Sequence, residues 1–291
     1  MNIRKPYKAG SFYQADPRLC RQEAQELLRQ VVLPADLPAV VHGGLAPHAG
    51  WVFSGAVAAV TLSALARRGR LERVVMFGAD HWGLAAGSVY DQGAWQTPLG
   101  QVSIDEELAG ELLANCPLLR SDPQAHLREH SLEVQLPLMQ ALTEASRLRI
   151  VPILVRPDGD AAEIGRQVGR LLRRKFPQAG LVGSTDLTHY GPQYGFIPAG
   201  AGPEGLKWAD RNDRRLLELA QAMQADQIVP QADRHHNACG AGAVAATVAA
   251  CAEMGAAAGL LLQYATSAEI MLRVYHATSD DAVGYAAMVF A

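Results

Sequence analysis

The chain is short of charge. Only 19% of its 291 residues are Asp, Glu, Lys or Arg, and the formal net charge is −3. That balance gives no broad basic surface for nucleic acid or an anionic membrane, and the cluster from Arg170 to Lys175 reads as a solvated helix face. Cysteine is sparse too. Cys20, Cys116, Cys239 and Cys251 stand far apart with no C-x-x-C pair, so there is no basis for a disulfide framework or a structural zinc module. A G-x-S-x-G elbow, a P-loop and a G-x-G-x-x-G loop are all missing, which argues against serine hydrolases, nucleotide hydrolases and any nucleotide cofactor. The N-terminal stretch is basic but has no apolar core of the secretory kind. The most apolar segment, Ala241 to Leu262, is broken by Glu253, Gly255 and Gly259 and reads as a helix followed by a strand, not a membrane span. The expectation is a cytoplasmic protein with neither nucleic acid nor membrane as partner.

Hydrophobic residues are plentiful, at 49%, and they fall into short apolar runs and segments of helical spacing. Apolar runs at Val40–Ala46, Arg73–Phe77, Arg149–Val155, Gly180–Ser184, Leu260–Thr266 and Gly284–Phe290 read as strands, and Ser88–Val102 as hairpin-like edge structure. Helical spacing covers Asp16 to about Gln30, a segment from about Ser54 to Arg67, and Asp105–Asn115. It recurs in a segment opening at Glu129–Leu136, then in Asp160–Lys175, Gly205–Met223 and Ala243–Met254. Asp16-Pro17 has the form of an N-cap with proline at the first helical position. This alternation predicts one α/β domain over residues 1–291, with a mainly parallel or mixed central sheet and helices on both faces.

Three strands end in turns that carry histidine: Ala46-Pro47-His48-Ala49-Gly50, Gly78-Ala79-Asp80-His81, and Ser184-Thr185-Asp186-Leu187-Thr188-His189. In an open α/β sheet the carboxyl ends of the strands form the ligand-binding edge, so His48, His81 and His189 can meet in one pocket. Imidazole is the commonest metal ligand and the usual base near neutral pH. Two histidines with one further ligand and open positions suit a catalytic metal. Asp80, Asp186, Glu129, Glu133 and Cys239 all compete for the third place. Cys239 precedes a helix, whose amides and dipole favour thiolate. His130 stands between pocket wall and helix-start packing, and Phe12, Trp51 and Phe53 between pocket lining and core. His42, His126 and His276 read as structural.

Those blocks, with Ala9-Gly10-Ser11-Phe12-Tyr13, Thr97-Pro98-Leu99-Gly100, the run Glu129 to Pro137 and Ala238-Cys239-Gly240, resemble the Memo family, called AmmeMemoRadiSam system protein B in prokaryotes. The resemblance implies a fold similar to class III extradiol dioxygenases, non-haem Fe(II) enzymes that cleave catechol-type rings. They hold iron with two histidines and a glutamate and use another histidine as acid/base. Carried over, His48 and His81 take the histidine-ligand places, and Cys239 the place where this family has cysteine for the glutamate. His189 takes the acid/base place, with Asp186 beside it. Members bind metal there, iron or copper being reported, and a human member acts in cell-motility signalling through a phosphotyrosine-containing partner. Asp80 stands where relatives often carry Ser or Asn, and is itself a possible ligand. Phe12 and Phe53 stand where relatives often have Trp and Tyr. A thiolate is softer than a carboxylate, which shifts preference toward copper or zinc.

Three functions are therefore open. One is a metal-dependent redox enzyme acting on a small molecule or peptide, with Phe12, Phe53, His130 and Asp80 near the substrate. Another is a non-catalytic adaptor that uses the cleft as a ligand groove. The third is a hydrolase with Cys239 as nucleophile. Low charge and high apolarity are also compatible with a homo-oligomer.

Overall fold

Asp16 starts the first long helix as its sequence suggests: its carboxylate accepts the backbone N–H groups of Arg18 and Leu19 at 3.0 and 2.9 Å. The computed structural model describes residues 2–83, 87–143 and 147–291. After a short strand β1 (Ile3–Arg4) come α1 (Pro17–Arg29), β2 (Gly43–Ala46), α2 (Trp51–Arg67) and β3 (Arg73–Ala79). The edge region supplies β4 (Ser88–Val89), β5 (Ala94–Thr97) and β6 (Gly100–Ile104), and then α3 (Glu106–Asn115), β7 (Arg120–Ser121) and α4 (Leu136–Leu142) follow. The second half runs β8 (Arg149–Val155), α5 (Ala161–Lys175), β9 (Gly180–Ser184), β10 (His189–Tyr190), α6 (Pro203–Gln221) and α7 (Ala225–His235). It ends with α8 (Ala241–Met254), β11 (Gly259–Thr266), α9 (Ser267–Tyr275) and β12 (Ala282–Phe290). Among the described residues no helix is long and apolar enough to cross a membrane.

The sheet is mixed. Its centre, in the order β6-β8-β3-β9-β2, is parallel throughout. The hairpin of β5 with β6 closes one side, and antiparallel β12 and β11 the other. The chain goes from β2 through α2 to β3 and leaves a gap that β9 later fills. The carboxyl ends of β3, β9 and β2 therefore lie side by side, which is the placement expected of the three histidine turns.

Side-chain alternation along β2 fixes which helices cover which face. A Cβ added to Gly43 would sit 2.7 Å from Cys251 Sγ of α8, and one added to Gly44 would sit 2.6 Å from Thr61 Cγ2 of α2. The two helices thus press on opposite faces of the same strand, so close that only glycine fits. The next layer is equally tight. Added Cβ atoms at Gly165 and Gly169 of α5 would meet the carbonyl oxygens of Ala246 and Ala250 of α8. The small-residue run of α8 exists for this approach and not for a bilayer. Gly165→Ala should lower stability by about 1–3 kcal/mol through overpacking, although alanine is the better helix former by roughly 1 kcal/mol. Denaturant titration checks this, and a raised midpoint would contradict it.

Strand β2 begins at Gly43 and not at Val40, and two further boundaries differ from expectation at the site. The segment at Glu129 does not open a helix. Residues 129–132 are irregular, a 3₁₀ turn covers Glu133–Gln135, and α4 begins at Leu136 with Pro137 in its first turn. The Glu129 carboxylate holds the backbone N–H groups of His130 and Ser131, both at 2.8 Å, which fixes a turn at that point. Helix α2 starts at Trp51, a turn early, anchored by its indole N–H to Val134 O at 3.0 Å and its backbone N–H to Phe12 O at 2.8 Å.

Candidate metal centre

Two of the three histidine turns place a donor, and the loop before α8 places the third. His48, two residues beyond β2, is buried, and its backbone N–H donates to Asp186 Oδ1 at 2.7 Å. Its ring tautomer follows from its neighbours. The Ser184 hydroxyl gives its one hydrogen to Ser131 O at 2.7 Å, so toward His48 Nδ1, 3.0 Å away, it can only accept. His48 therefore carries its proton on Nδ1, and the Nε2 lone pair faces Cys239 Sγ at 3.1 Å. Gln135 holds the same turn by donating to Pro47 O at 2.7 Å.

His81 repeats this logic with a different anchor. Its Nδ1 lies 3.0 and 3.1 Å from the two oxygens of Glu129, and its backbone N–H donates to the same carboxylate at 3.1 Å. A carboxylate only accepts, so Nδ1 keeps its hydrogen and Nε2 is directed away from Glu129. Burial opposes charging of Glu129, but the hydrogen bond and positive charge of His81 outweigh it and hold the carboxyl well below the usual carboxylate range. A carboxylate orienting a ligand imidazole in this way is a recurring outer-shell arrangement of metal sites.

Cys239 lies two residues before α8. Its backbone N–H donates to Asp186 O at 3.2 Å, and its sulfur accepts the Asp186 N–H at 3.3 Å. Burial alone would push this thiol up. The charge and hydrogen bond of His48, with a hydrogen bond from His81, bring it down to about 7. Burial would lower His81, yet hydrogen bonds to Cys239 and Glu129 raise it to about 10. The other three thiols behave as buried apolar groups: burial raises Cys20 to about 12 and Cys116 to about 11, and pushes Cys251 up as well. In metal-free protein a thiol-selective alkylating reagent should therefore modify Cys239 at a rate that rises through pH 7, with the other three unreactive until unfolding. A rate that rises only near pH 9 would contradict the pairing.

Among the described residues, two groups bring three ligand-type atoms within 4.8 Å of one another: His48 with His81 and Cys239, and His81 with Glu129 and His130. The first group fits a metal ion. Both Nδ1 hydrogens are committed elsewhere, so an ion that displaces the Nε2 proton of His81 would meet two nitrogen donors and a readily ionised sulfur, with His48 buried, Cys239 half-buried and His81 exposed. His130 stacks on His81 with ring centroids 4.9 Å apart and meets Phe12 edge-on at 5.1 Å. Burial, then the charge of His48, lowers His130 to about 3, so it stays neutral.

These groups open into a cavity of about 430 Å³ that also takes in Phe53, Asp186 and His189. His189 donates from Nδ1 to Leu187 O at 3.0 Å, which leaves Nε2 as the ring nitrogen available at the cavity. Burial drives the Asp186 carboxyl up, against the opposing charge of His189 and the N–H of His48. Phe12 is brought to the cavity by the N-terminal segment. Asp80 is not among the residues lining the cavity and belongs to neither donor group. Sequence reading missed Tyr194, Met271 and Tyr285, which line the far wall. Met271 rides on α9, whose capping box of Thr266 with Glu269 is legible as a Thr-x-x-Glu spacing.

A family model described as Memo-like protein matches residues 4–289. The chain belongs to the Memo family. A MEMO1 family protein of Methanopyrus kandleri is 37% identical over 297 aligned residues, covering 99% of this chain and 98% of the relative. One from Methanothermobacter thermautotrophicus is 36% identical over 98% and 99%, and one from Nitrosopumilus maritimus 30% identical over 99% of each. Likeness to Memo proteins thus spans both halves of the sheet and includes every turn that contributes to the centre.

Proposed function

We propose that this Memo protein binds a redox-active metal, iron or copper, through His48 Nε2, His81 Nε2 and Cys239 Sγ, and acts as an oxidoreductase on a small molecule or peptide in the adjoining cavity. The observation that carries the reading is the pair of committed Nδ1 hydrogens, on Ser184 and on Glu129, which turn both Nε2 atoms and the sulfur toward one another. Zinc would also suit a thiolate and two imidazoles. Such a metal, when bound, supplies one-electron chemistry and open positions for oxygen and substrate. The residues around it supply the rest. His189 Nε2 holds or moves a proton at the cavity wall, Asp186 fixes the His48 turn, and Phe12, Phe53 and His130 shape an aromatic side for the ligand. The reading treats the fold as related to class III extradiol dioxygenases, with sulfur in place of a carboxylate oxygen.

Anaerobic purification followed by elemental analysis tests it: one iron or copper per chain is expected, and no retained redox metal after loading would refute it. Glu129→Gln keeps the shape but loses the carboxylate that orients His81, and should weaken metal binding about 10–100-fold in a competition titration. Unchanged affinity would remove Glu129 from the account. A His189→Ala variant that keeps its metal and its biological role unaltered would favour the adaptor function over an enzyme.

One observation favours a second reading. Cys239 Sγ and His48 Nε2 are within hydrogen-bond reach at 3.1 Å, which is also the arrangement of a cysteine nucleophile and its base. Stoichiometric metal that blocks alkylation of Cys239 favours the metal centre, and acylation of Cys239 by an ester substrate favours the hydrolase.

A further inference from the structure

The cavity described above is not the only space lined by Cys239. A second cavity, of about 260 Å³, shares only His189 and Cys239 with the first. Its other walls are Pro157, Leu187, three alanines and, on the final turn of α7 and just beyond it, Asp233 and His236. The Cys239–His189 pair is therefore a partition between two spaces. The two spaces differ in kind. The first has an aromatic side and room for an organic ligand. The second is smaller, its apolar wall is mostly small side chains, and its polar residues are all of metal-ligating type: Asp233, His189, His236 and Cys239.

Asp233 and His236 are three residues apart, so they lie on one side of the helix end, and both are exposed. His236 caps α7 in the left-handed conformation, φ 49°, and its ring packs edge-on against Phe196 at 5.4 Å. The carboxyl end of a helix carries partial negative charge, which attracts cations. Yet these groups do not form a resident site: among the described residues neither Asp233 nor His236 joins any group of three ligand atoms within 4.8 Å. Spaced ligand-type groups leading from solvent to the half-buried Cys239, without a closed set of their own, describe a route.

Resting on the metal-centre reading above, we infer that the second cavity is the port through which a metal ion reaches Cys239, drawn in by Asp233 and His236, while the larger cavity is kept for substrate.

The test is the rate of loading, followed with Co(II) alone on the metal-free full-length chain by stopped-flow absorption of the thiolate-to-cobalt band. The double variant Asp233→Asn/His236→Ala should load roughly tenfold more slowly, as loss of electrostatic steering predicts, with a shallower dependence of rate on salt. Its final amplitude and dissociation constant should match the unaltered protein, because neither side chain is a ligand. Glu26→Gln, which removes a like charge from exposed α1 and lines neither cavity, should load at the unaltered rate. Three results would overturn the port: loading of the double variant within twofold of the unaltered rate, equal slowing by Glu26→Gln, or a loss of final amplitude that makes the pair ligands. A thiolate band missing from the unaltered protein is distinguishable from all of these, since it would refute the metal centre itself and the port with it.

Discussion

Cys239→Ala will weaken metal binding more than about a hundredfold. Even an outer partner that only orients a ligand accounts for 10–100-fold in affinity, and here a directly facing donor is removed. The loss falls on the sulfur in particular. Cys239 is the one cysteine that its surroundings bring down to about 7, so it reaches the ligand-competent thiolate at neutral pH where the other three stay protonated. Fold stability should change little. The thiol hydrogen-bonds His48 and the Asp186 backbone but is not packed in the α5–α8 layer. Competition titration with a chelator of known affinity measures the effect, with thermal unfolding of the metal-free forms as control. A Cys239→Ala protein that binds iron or copper within a few-fold of the original would mean that the imidazoles bind metal without sulfur.

The second large effect is structural. Glu133 and Arg4 form an ion pair at 2.7 Å with both side chains fully buried. The same carboxylate accepts the Tyr13 hydroxyl at 2.7 Å and the backbone N–H groups of Tyr7 and Lys8 at 2.8 and 2.7 Å. Arg4 in turn donates to the carbonyls of His126 and Glu129 at 2.8 and 2.6 Å and lies over the Trp95 ring at 4.2 Å. One buried carboxylate thus fastens the N-terminal segment to the turn that carries Glu129. Glu133→Ala leaves a buried guanidinium without its counter-charge, which typically destabilises by about 3–5 kcal/mol. The double variant Arg4→Met/Glu133→Leu should recover only part of that loss, because it removes both charges together but still leaves the Tyr13 hydroxyl and the N–H groups of Tyr7 and Lys8 without their acceptor. Guanidinium unfolding curves decide this, and a single-variant loss below about 1 kcal/mol would contradict it. Phe12 reaches the cavity on this segment, so proteolysis near residues 7–13 should also accelerate in Glu133→Ala.

The sequence shows the architecture well because its signals are local. Continuous apolar runs mark β2, β3, β8 and β9, helical spacing marks α1, α3 and α5, a run of small residues marks α8, and proline or glycine marks the turns with His48 and His81. It was also possible to see that Cys239 precedes a helix. What could not be seen depends on contacts across the chain. Nothing near Glu129 says that it orients His81, 48 positions earlier, or that Glu133, on the adjacent turn, holds the N-terminus instead. The acid pair looked like helix-start charge because both readings need carboxylates at that spacing. Helix α7 escaped notice because Pro230 interrupts a polar sequence. Helix α9 escaped because it is only nine residues long and its consecutive apolar residues Ile270, Met271 and Leu272 mark no single helix face, although its capping box was legible. Asp80, adjacent to His81 in sequence, is outside the cavity because the turn directs His81 inward.

X-ray absorption on the anaerobically loaded protein tests the central claim most directly. The account predicts one sulfur scatterer at about 2.3 Å together with two imidazoles, and loss of the sulfur in Cys239→Ala. A first shell of nitrogen and oxygen alone in the unaltered protein would contradict it.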